Sequence, residues 1–180
     1  MKVVSIVGMT GAGKSKVARV FEENGFISIR FGDLTDDKIK NRGLELNEKN
    51  ERYIRELLRK EHGMAAYAKL SLPRIDSALE RADVVIDGLY SWEEYIFLKT
   101  CYMEAFYVVA VWASPRIRYA RLSSRLDRSL TQEEAAERDV SEIENVNKGG
   151  PIAMADFTII NEYSLENLEK EVKRIIPRLK

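Results

Sequence analysis

The chain has 180 residues, enough to bury a full core as one domain. Its 29 Lys and Arg residues balance 29 Asp and Glu residues, so no global positive field gathers nucleic acid, and a nucleic-acid partner is not expected. The lone Cys101 cannot close an internal disulfide, and the longest apolar run, Ala105 to Ala113, is about half of what a membrane-spanning helix needs; with no leader ahead of the first apolar run, the expected location is cytoplasmic, with no membrane partner.

Val3-Val4-Ser5-Ile6-Val7 is a short, mostly β-branched run that reads as a buried strand. Behind it stands Gly8-Met9-Thr10-Gly11-Ala12-Gly13-Lys14-Ser15, which fits G-x-x-x-x-G-K-[ST], the phosphate-binding loop. Its glycines let the backbone curl so that successive N–H groups point at phosphate oxygens. Lys14 can reach the β and γ phosphates, and the Ser15 hydroxyl can ligate Mg²⁺. Residues 16 to 24 follow as a helix with Val17, Val20 and Phe21 on one face, stopped at Gly25, and the helix aims its positive end at the same anion.

Residues 26 to 31 alternate like a strand and end at Gly32-Asp33-Leu34. Residues just beyond the carboxyl ends of parallel strands line the ligand crevice, so Asp33 is a candidate catalytic carboxylate; the competing reading is a surface turn or helix cap. Residues 35 to 62 are charged and helical in pattern, with an apolar seam of Tyr53, Ile54, Leu57 and Leu58 and an interruption at Arg42-Gly43. Two helices are expected there, placed to cover a second substrate. His62 before Gly63 reads as a carbonyl-capping residue at a helix end. The helix of residues 64 to 80 is expected to kink at Pro73. Residues 83 to 88 form another short strand that delivers Asp87, the Walker B arrangement in which a carboxylate holds Mg²⁺, with a simple turn aspartate as the alternative. Ser91-x-x-Glu94 reads as a capping box opening a helix whose Trp92, Tyr95, Ile96 and Leu98 belong to the core.

Ala105 to Ala113 reads as a central strand, and Ser114-Pro115 as a cap followed by proline at the first helical position. Arg118, Arg121, Arg125 and Arg128 are spaced 3, 4 and 3 apart, which places four guanidiniums on one helical face. Such a stripe suits γ-phosphate contacts, about two of the four acting and the rest solvated. Thr131-x-x-Glu134 is a second capping box, and Arg138 lies on the helix it opens. Asn147-Lys148-Gly149-Gly150-Pro151 reads as the clearest loop in the chain. A last strand over residues 155 to 160 leads to Asn161-Glu162-Tyr163, and Ser164 caps a final helix with Leu165, Leu168, Val172 and Ile175 as its stripe.

The phosphate loop, Gly32-Asp33-Leu34 and Asp87-Gly88 resemble the corresponding stations of nucleoside monophosphate kinases of the adenylate kinase type. Arg121-x-x-x-Arg125, Leu130-Thr131-x-Glu133-Glu134-Ala135-x-x-Arg138 and Ala155-Asp156-Phe157-x-Ile159-x-Asn161 look closer to dephospho-CoA kinase. His62-Gly63, Ser114 to Tyr119 and Ile152 to Asp156 resemble an uncharacterised archaeal P-loop family related to that enzyme. The resemblance implies a three-layer α/β/α fold with five parallel strands in the order 2-3-1-4-5, and ATP on the loop with its adenine near Asn161 and Glu162. It also implies lid arginines within residues 121 to 138, and Asp33 facing an acceptor hydroxyl. Where adenylate kinases carry an arginine after the Asp-Gly station, this chain has Leu89-Tyr90-Ser91, and residues 35 to 62 match neither enzyme. The resemblance therefore fixes the donor better than the acceptor.

The expectation is one P-loop kinase domain over residues 1 to 180, with an acceptor-side helical insertion at about 35–80 and a lid at about 118–140. It would transfer the γ-phosphoryl group of ATP, with Mg²⁺, to a small-molecule acceptor, dephospho-CoA above others. Two alternatives stay open: an ATP-hydrolysing switch, which could be RNA-associated, and a scaffold that has lost turnover. A guanine-specific switch is disfavoured, because Asn147-Lys148 continues into Gly149-Gly150 and not into the Asn-Lys-x-Asp signature.

Overall fold

The computed structural model describes residues 1–126 and 129–179. The chain starts with β1 (Val3–Val7), α1 (Lys14–Glu23) and β2 (Ile27–Arg30). Three helices then precede the next strand: α2 (Asp33–Asn41), α3 (Glu48–His62) and α4 (Ala66–Leu79). After them come β3 (Val84–Asp87), α5 (Trp92–Tyr102), β4 (Phe106–Trp112), α6 (Pro115–Ser123) and α7 (Gln132–Glu144). The chain closes with α8 (Gly149–Ala153), β5 (Phe157–Ile160) and α9 (Leu165–Ile175). The five strands form one all-parallel sheet in the order β2-β3-β1-β4-β5, as the resemblance implied.

Alternation along the strands builds the three layers. Val3 and Val7 of β1 face one side, with Val84 and Ile86, and pack with Ile54, Leu58, Tyr67, Ile75 and Leu98 from α3, α4 and α5. Val4 and Ile6 face the other side, with Val109 and Val111, and pack with Val17 and Phe21 of α1 and Leu168 and Val172 of α9. A strand covered on both faces has to be apolar at successive positions, which is why β1 carries no alternation in its sequence. Its neighbours in register include Ile6 opposite Asp87 and, across β3, Asp87 opposite Arg30. The carboxyl ends of β2, β3 and β1 therefore lie side by side and present Asp33, Asp87 and the glycine-rich loop in one row.

Several local expectations hold. The break at Arg42-Gly43 separates α2 from α3, with Gly43 at φ 64°. Thr131 and Glu134 form a complete capping box. Pro73 lies inside α4, which continues to Leu79. At Ser91 the hydroxyl accepts from the Glu94 N–H at 3.1 Å, but the Glu94 carboxylate reaches one residue further back and accepts from the Tyr90 N–H at 2.8 Å. Ser114 occupies its N-cap position without a side-chain bond to the helix, leaving Pro115 as the operative start signal. Of the apolar residues assigned to the core, Ile54, Leu58, Tyr95 and Leu98 are buried, whereas Tyr53 and Ile96 are exposed.

Two expectations are overturned. The proposed loop at residues 147 to 151 contains α8, because Pro151 sits in the first turn, where its missing N–H costs nothing. Gly150 of α8 also packs directly on the Trp92 ring, leaving no room for a Cβ. The arginine stripe fails because α6 ends at Ser123. The Ser123 hydroxyl donates to the Ala120 carbonyl at 3.0 Å and the Ser124 hydroxyl to the Arg121 carbonyl at 3.1 Å, side-chain bonds that compete with the helical ladder. Leu130 N–H then donates back to the Leu122 carbonyl at 3.3 Å, so the chain reverses. Arg125 lies past the helix end, and Arg128 lies outside the described residues.

Candidate functional site

The loop between β1 and α1 is shaped by its glycines and locked from outside. Gly13, the residue before α1, sits at φ 102°, and a Cβ there would collide with the Asn161 side chain. Asn161, just past the carboxyl end of β5, donates its Nδ2–H to the Ala12 carbonyl at 2.8 Å and ties the loop to that strand. Gly8, Met9, Thr10, Gly11 and Ala12 curl around Lys14, whose ammonium donates to the carbonyls of Gly8 at 2.8 Å and Met9 at 3.2 Å. Burial, followed by the charge of Lys148, lowers Lys14 to about 8. Ser15 is exposed in the first turn of α1, where the helix's unpaired N–H groups and positive end favour an anion.

Asp87 ends β3 and is 8% exposed, close enough to Lys14 for each charge to act on the other. With Ser15 it supplies one carboxylate and one hydroxyl beside the loop. That donor set fits Mg²⁺, which keeps water and takes phosphate oxygens in place of a full protein cage. Among the described residues, no group of three or more His, Cys, Asp or Glu forms a site that could hold a metal by itself.

Asp33 opens α2. Its Oδ1 accepts from Arg30 Nη1 at 2.9 Å, and its Oδ2 lies 3.9 Å from Arg74 Nη2. Gly32, not Asp33, holds the N-cap position of α2, without a side-chain bond, so Asp33 is a first-turn residue and not the cap. Arg30 also donates to Asp36 at 2.8 Å, so one guanidinium braces both carboxylates of the first turn.

The arginines of α6 are divided in role. Arg118 is 3% exposed and makes a strut: Nε donates to the Ala113 carbonyl at 3.0 Å, Nη1 to the Thr10 carbonyl at 3.0 Å and to Asp139 at 2.8 Å, and Nη2 to Asp139 at 2.5 Å. Arg121 donates to the Asn161 carbonyl at 2.8 Å, which puts it with the residues expected near the base. Glu162 accepts from the Ser114 N–H at 2.7 Å. His62 ends α3 half-exposed with its Nε2 3.8 Å from Glu61; among the described residues its ring bonds no carbonyl, and the helix end is closed by the Gly63 N–H donating to the Arg59 carbonyl.

Sequence reasoning missed the strongest charge cluster. Glu142 on α7 accepts from the Thr10 hydroxyl at 2.6 Å and from the Thr10 N–H at 3.3 Å. Lys148, 2% exposed, sits 2.8 Å from the same carboxylate, and Arg138 lies 3.5 Å away. Burial alone would raise the Glu142 carboxyl, but Lys148, Lys14 and Arg138 together hold it well below the usual carboxylate range. Burial lowers Lys148 in turn, against the pull of Glu142. Arg138 extends the cluster to α3 through Glu48 at 2.7 Å, and Arg55 joins Glu48 at 2.6 Å. The only local sign of this network is the four-residue spacing of Arg138 and Glu142, which any solvated helix face shares.

Glu94 of α5 is fully buried, and burial above all raises its carboxyl to about 7. Its Oε1 has no hydrogen-bond partner among the described residues.

Residues 4–146 match the model of an AAA domain family. A UPF0200 protein of Thermococcus gammatolerans is 38% identical over 98% of this chain and 95% of its own length. A UPF0200 protein of Aeropyrum pernix is 36% identical over 96% and 90%. Among solved structures, a gluconokinase from Sinorhizobium meliloti superposes with a TM-score of 0.63 at 15% identity, over 99% of this chain and 93% of that one. A shikimate kinase from Bacteroides thetaiotaomicron does so at 0.62 and 15% identity, over 99% and 98%. At such identities the likeness speaks for the fold, a P-loop kinase-like α/β arrangement. The finer likeness to dephospho-CoA kinase rests on the motif residues alone.

Proposed function

We propose, for a chain that belongs to the UPF0200 family, that it is an ATP-dependent small-molecule kinase acting on a nucleotide-like acceptor, with dephospho-CoA the acceptor its motifs favour. The observation that carries this reading is the row formed by the loop, Asp87 and Asp33 at the carboxyl ends of three adjacent strands. A triphosphate seated on the loop has its β and γ groups beside Lys14, while Asp33 stands one strand beyond Asp87, on the side where α2, α3 and α4 can hold a second substrate.

In the transfer, the bond from the γ phosphorus to the β–γ bridging oxygen breaks and a bond to the acceptor oxygen forms. The acceptor's proton passes to Asp33, which Arg30 and Arg74 hold in place. Ser15 and Asp87 would hold Mg²⁺, which would supply charge neutralisation at the β and γ phosphates. Lys14 supplies a further positive charge; of the lid arginines assigned to the transition state, Arg125 lies past the end of α6, Arg121 is tied to the Asn161 carbonyl, and Arg128 lies outside the described residues.

The test is ADP release from Mg-ATP over a panel of hydroxyl and phosphate acceptors that includes dephospho-CoA. Acceptor-stimulated release is expected; a flat response across the panel removes the kinase reading. Hydrolysis that rises with RNA and with no metabolite would favour the switch instead.

A further inference from the structure

We propose that Thr10, Lys148 and Arg138 form the seat of the terminal phosphoryl group of a nucleoside triphosphate, and that the Glu142 carboxylate fills this seat until the triphosphate displaces it. The proposal rests on the nucleotide-binding part of the kinase reading and adds to the loop residue Thr10 and the motif residue Arg138 two residues that no motif marks, Lys148 and Glu142.

Three observations support it. First, both oxygens of Glu142 are spent on groups suited to a phosphate: the main-chain N–H and hydroxyl of a phosphate-loop residue, a buried ammonium and a guanidinium. A loop built to aim N–H groups at an anion is thus already answered by an anion of the protein itself. Second, the donors outnumber the oxygens. The Thr10 N–H and hydroxyl, the Lys148 ammonium and the Arg138 guanidinium share the two oxygens of Glu142, whereas a terminal phosphoryl group brings three. Third, the Lys14 ammonium, which donates to the Gly8 and Met9 carbonyls, also acts on Glu142, so the motif lysine and the Glu142 carboxylate belong to one charge cluster.

Lys148 can turn from one anion to the other without crossing solvent. It is anchored by α8, where Gly150 rests on Trp92, and its ammonium lies 5.5 Å from the centre of the Tyr90 ring, a face that tolerates a cation. Displacing Glu142 also frees it to move with α7, whose Arg138 reaches Glu48 on the acceptor-side α3. Occupation of the third-phosphate seat is thereby felt where the acceptor is held.

The seat distinguishes triphosphate from diphosphate, so the test is a ratio. Binding of ADP and of a non-hydrolysable ATP analogue, each with Mg²⁺, is measured by calorimetry for the parent, Glu142→Gln, Lys148→Met and Lys148→Arg. Glu142→Gln is expected to tighten the ATP analogue by about tenfold while leaving ADP within about twofold, since only the third phosphate competes with the carboxylate. Lys148→Met is expected to weaken the analogue by about tenfold with ADP unchanged, and Lys148→Arg to recover part of that loss. A variant whose loop has collapsed loses both ligands together, and the thermal midpoint measured alongside identifies it. If the ratio of the two affinities stays at the parental value in Glu142→Gln and Lys148→Met, Glu142 is a permanent strut and the proposal falls while nucleotide binding stands. If the parent binds neither ligand, this proposal and the kinase reading fall together.

Discussion

At the scale of single residues, Lys14 and Asp33 carry separable consequences. Lys14 is lowered from 10.5 to about 8 in the folded, ligand-free protein, chiefly by burial. A bound polyphosphate favours the charged ammonium and raises that value again, so between about pH 8 and pH 10 binding must take up protons. Calorimetry of Mg-ATP binding at pH 8.5, repeated in buffers of different ionisation enthalpy, is expected to show net proton uptake; proton release would contradict the assignment. Asp33 is tied to Arg30 and Arg74 and, among the described residues, makes no hydrogen bond or ion pair with the loop, so Asp33→Asn is expected to leave Mg-ATP affinity within about twofold while lowering acceptor-dependent turnover by about a hundredfold or more. Parallel loss of binding and turnover would return Asp33 to the role of a helix-start residue.

At the scale of elements, α7 is held to the sheet by a buried strut. Arg118 and Asp139 are 3% and 9% exposed, and the guanidinium makes two bonds to the carboxylate while also holding the Thr10 carbonyl. Removing one partner strands a buried charge. Asp139→Ala is therefore expected to cost about 3–5 kcal/mol, and the double change Arg118→Met, Asp139→Leu clearly less, as read from denaturant unfolding. The same bonds explain why Arg118 is unavailable for catalysis despite its place in the arginine spacing. They also explain why α6 can stop after Ser123 without leaving α7 adrift.

At the scale of the whole molecule, stability should carry an unusual pH signature from Glu94. The group is raised from 4.5 to about 7 in the folded state, so the folded protein binds more protons than the unfolded chain between those values. Stability is then fully present below about pH 4.5 and falls as pH rises toward 7, by an amount on the order of 3 kcal/mol. Glu94→Gln keeps an acceptor for the Tyr90 N–H and removes the titration. Its advantage over the parent is expected to grow from pH 5 to pH 7.5 in urea midpoints; an advantage independent of pH would show that Glu94 does not titrate in this window. Glu142, held low, contributes only below its own ordinary range and does not mask the effect.

What the sequence determined is whatever leaves a local trace. Glycines that permit a positive φ, a lysine and serine at fixed offsets, apolar runs of strand length, and serine or threonine three residues before glutamate are readable because backbone geometry dictates them within a few residues. The loop, the strands and the positions of Asp33 and Asp87 came from such traces, whereas the sheet order came from the family resemblance alone. Tertiary structure alone decided that Asn161 locks Ala12 across 149 residues, that Glu142 answers Thr10 across 132, and that Lys148 is buried within a stretch that looked like a turn. An ion pair between distant segments imposes no period and no spacing on either one, and its strength depends on the water that folding removes around it.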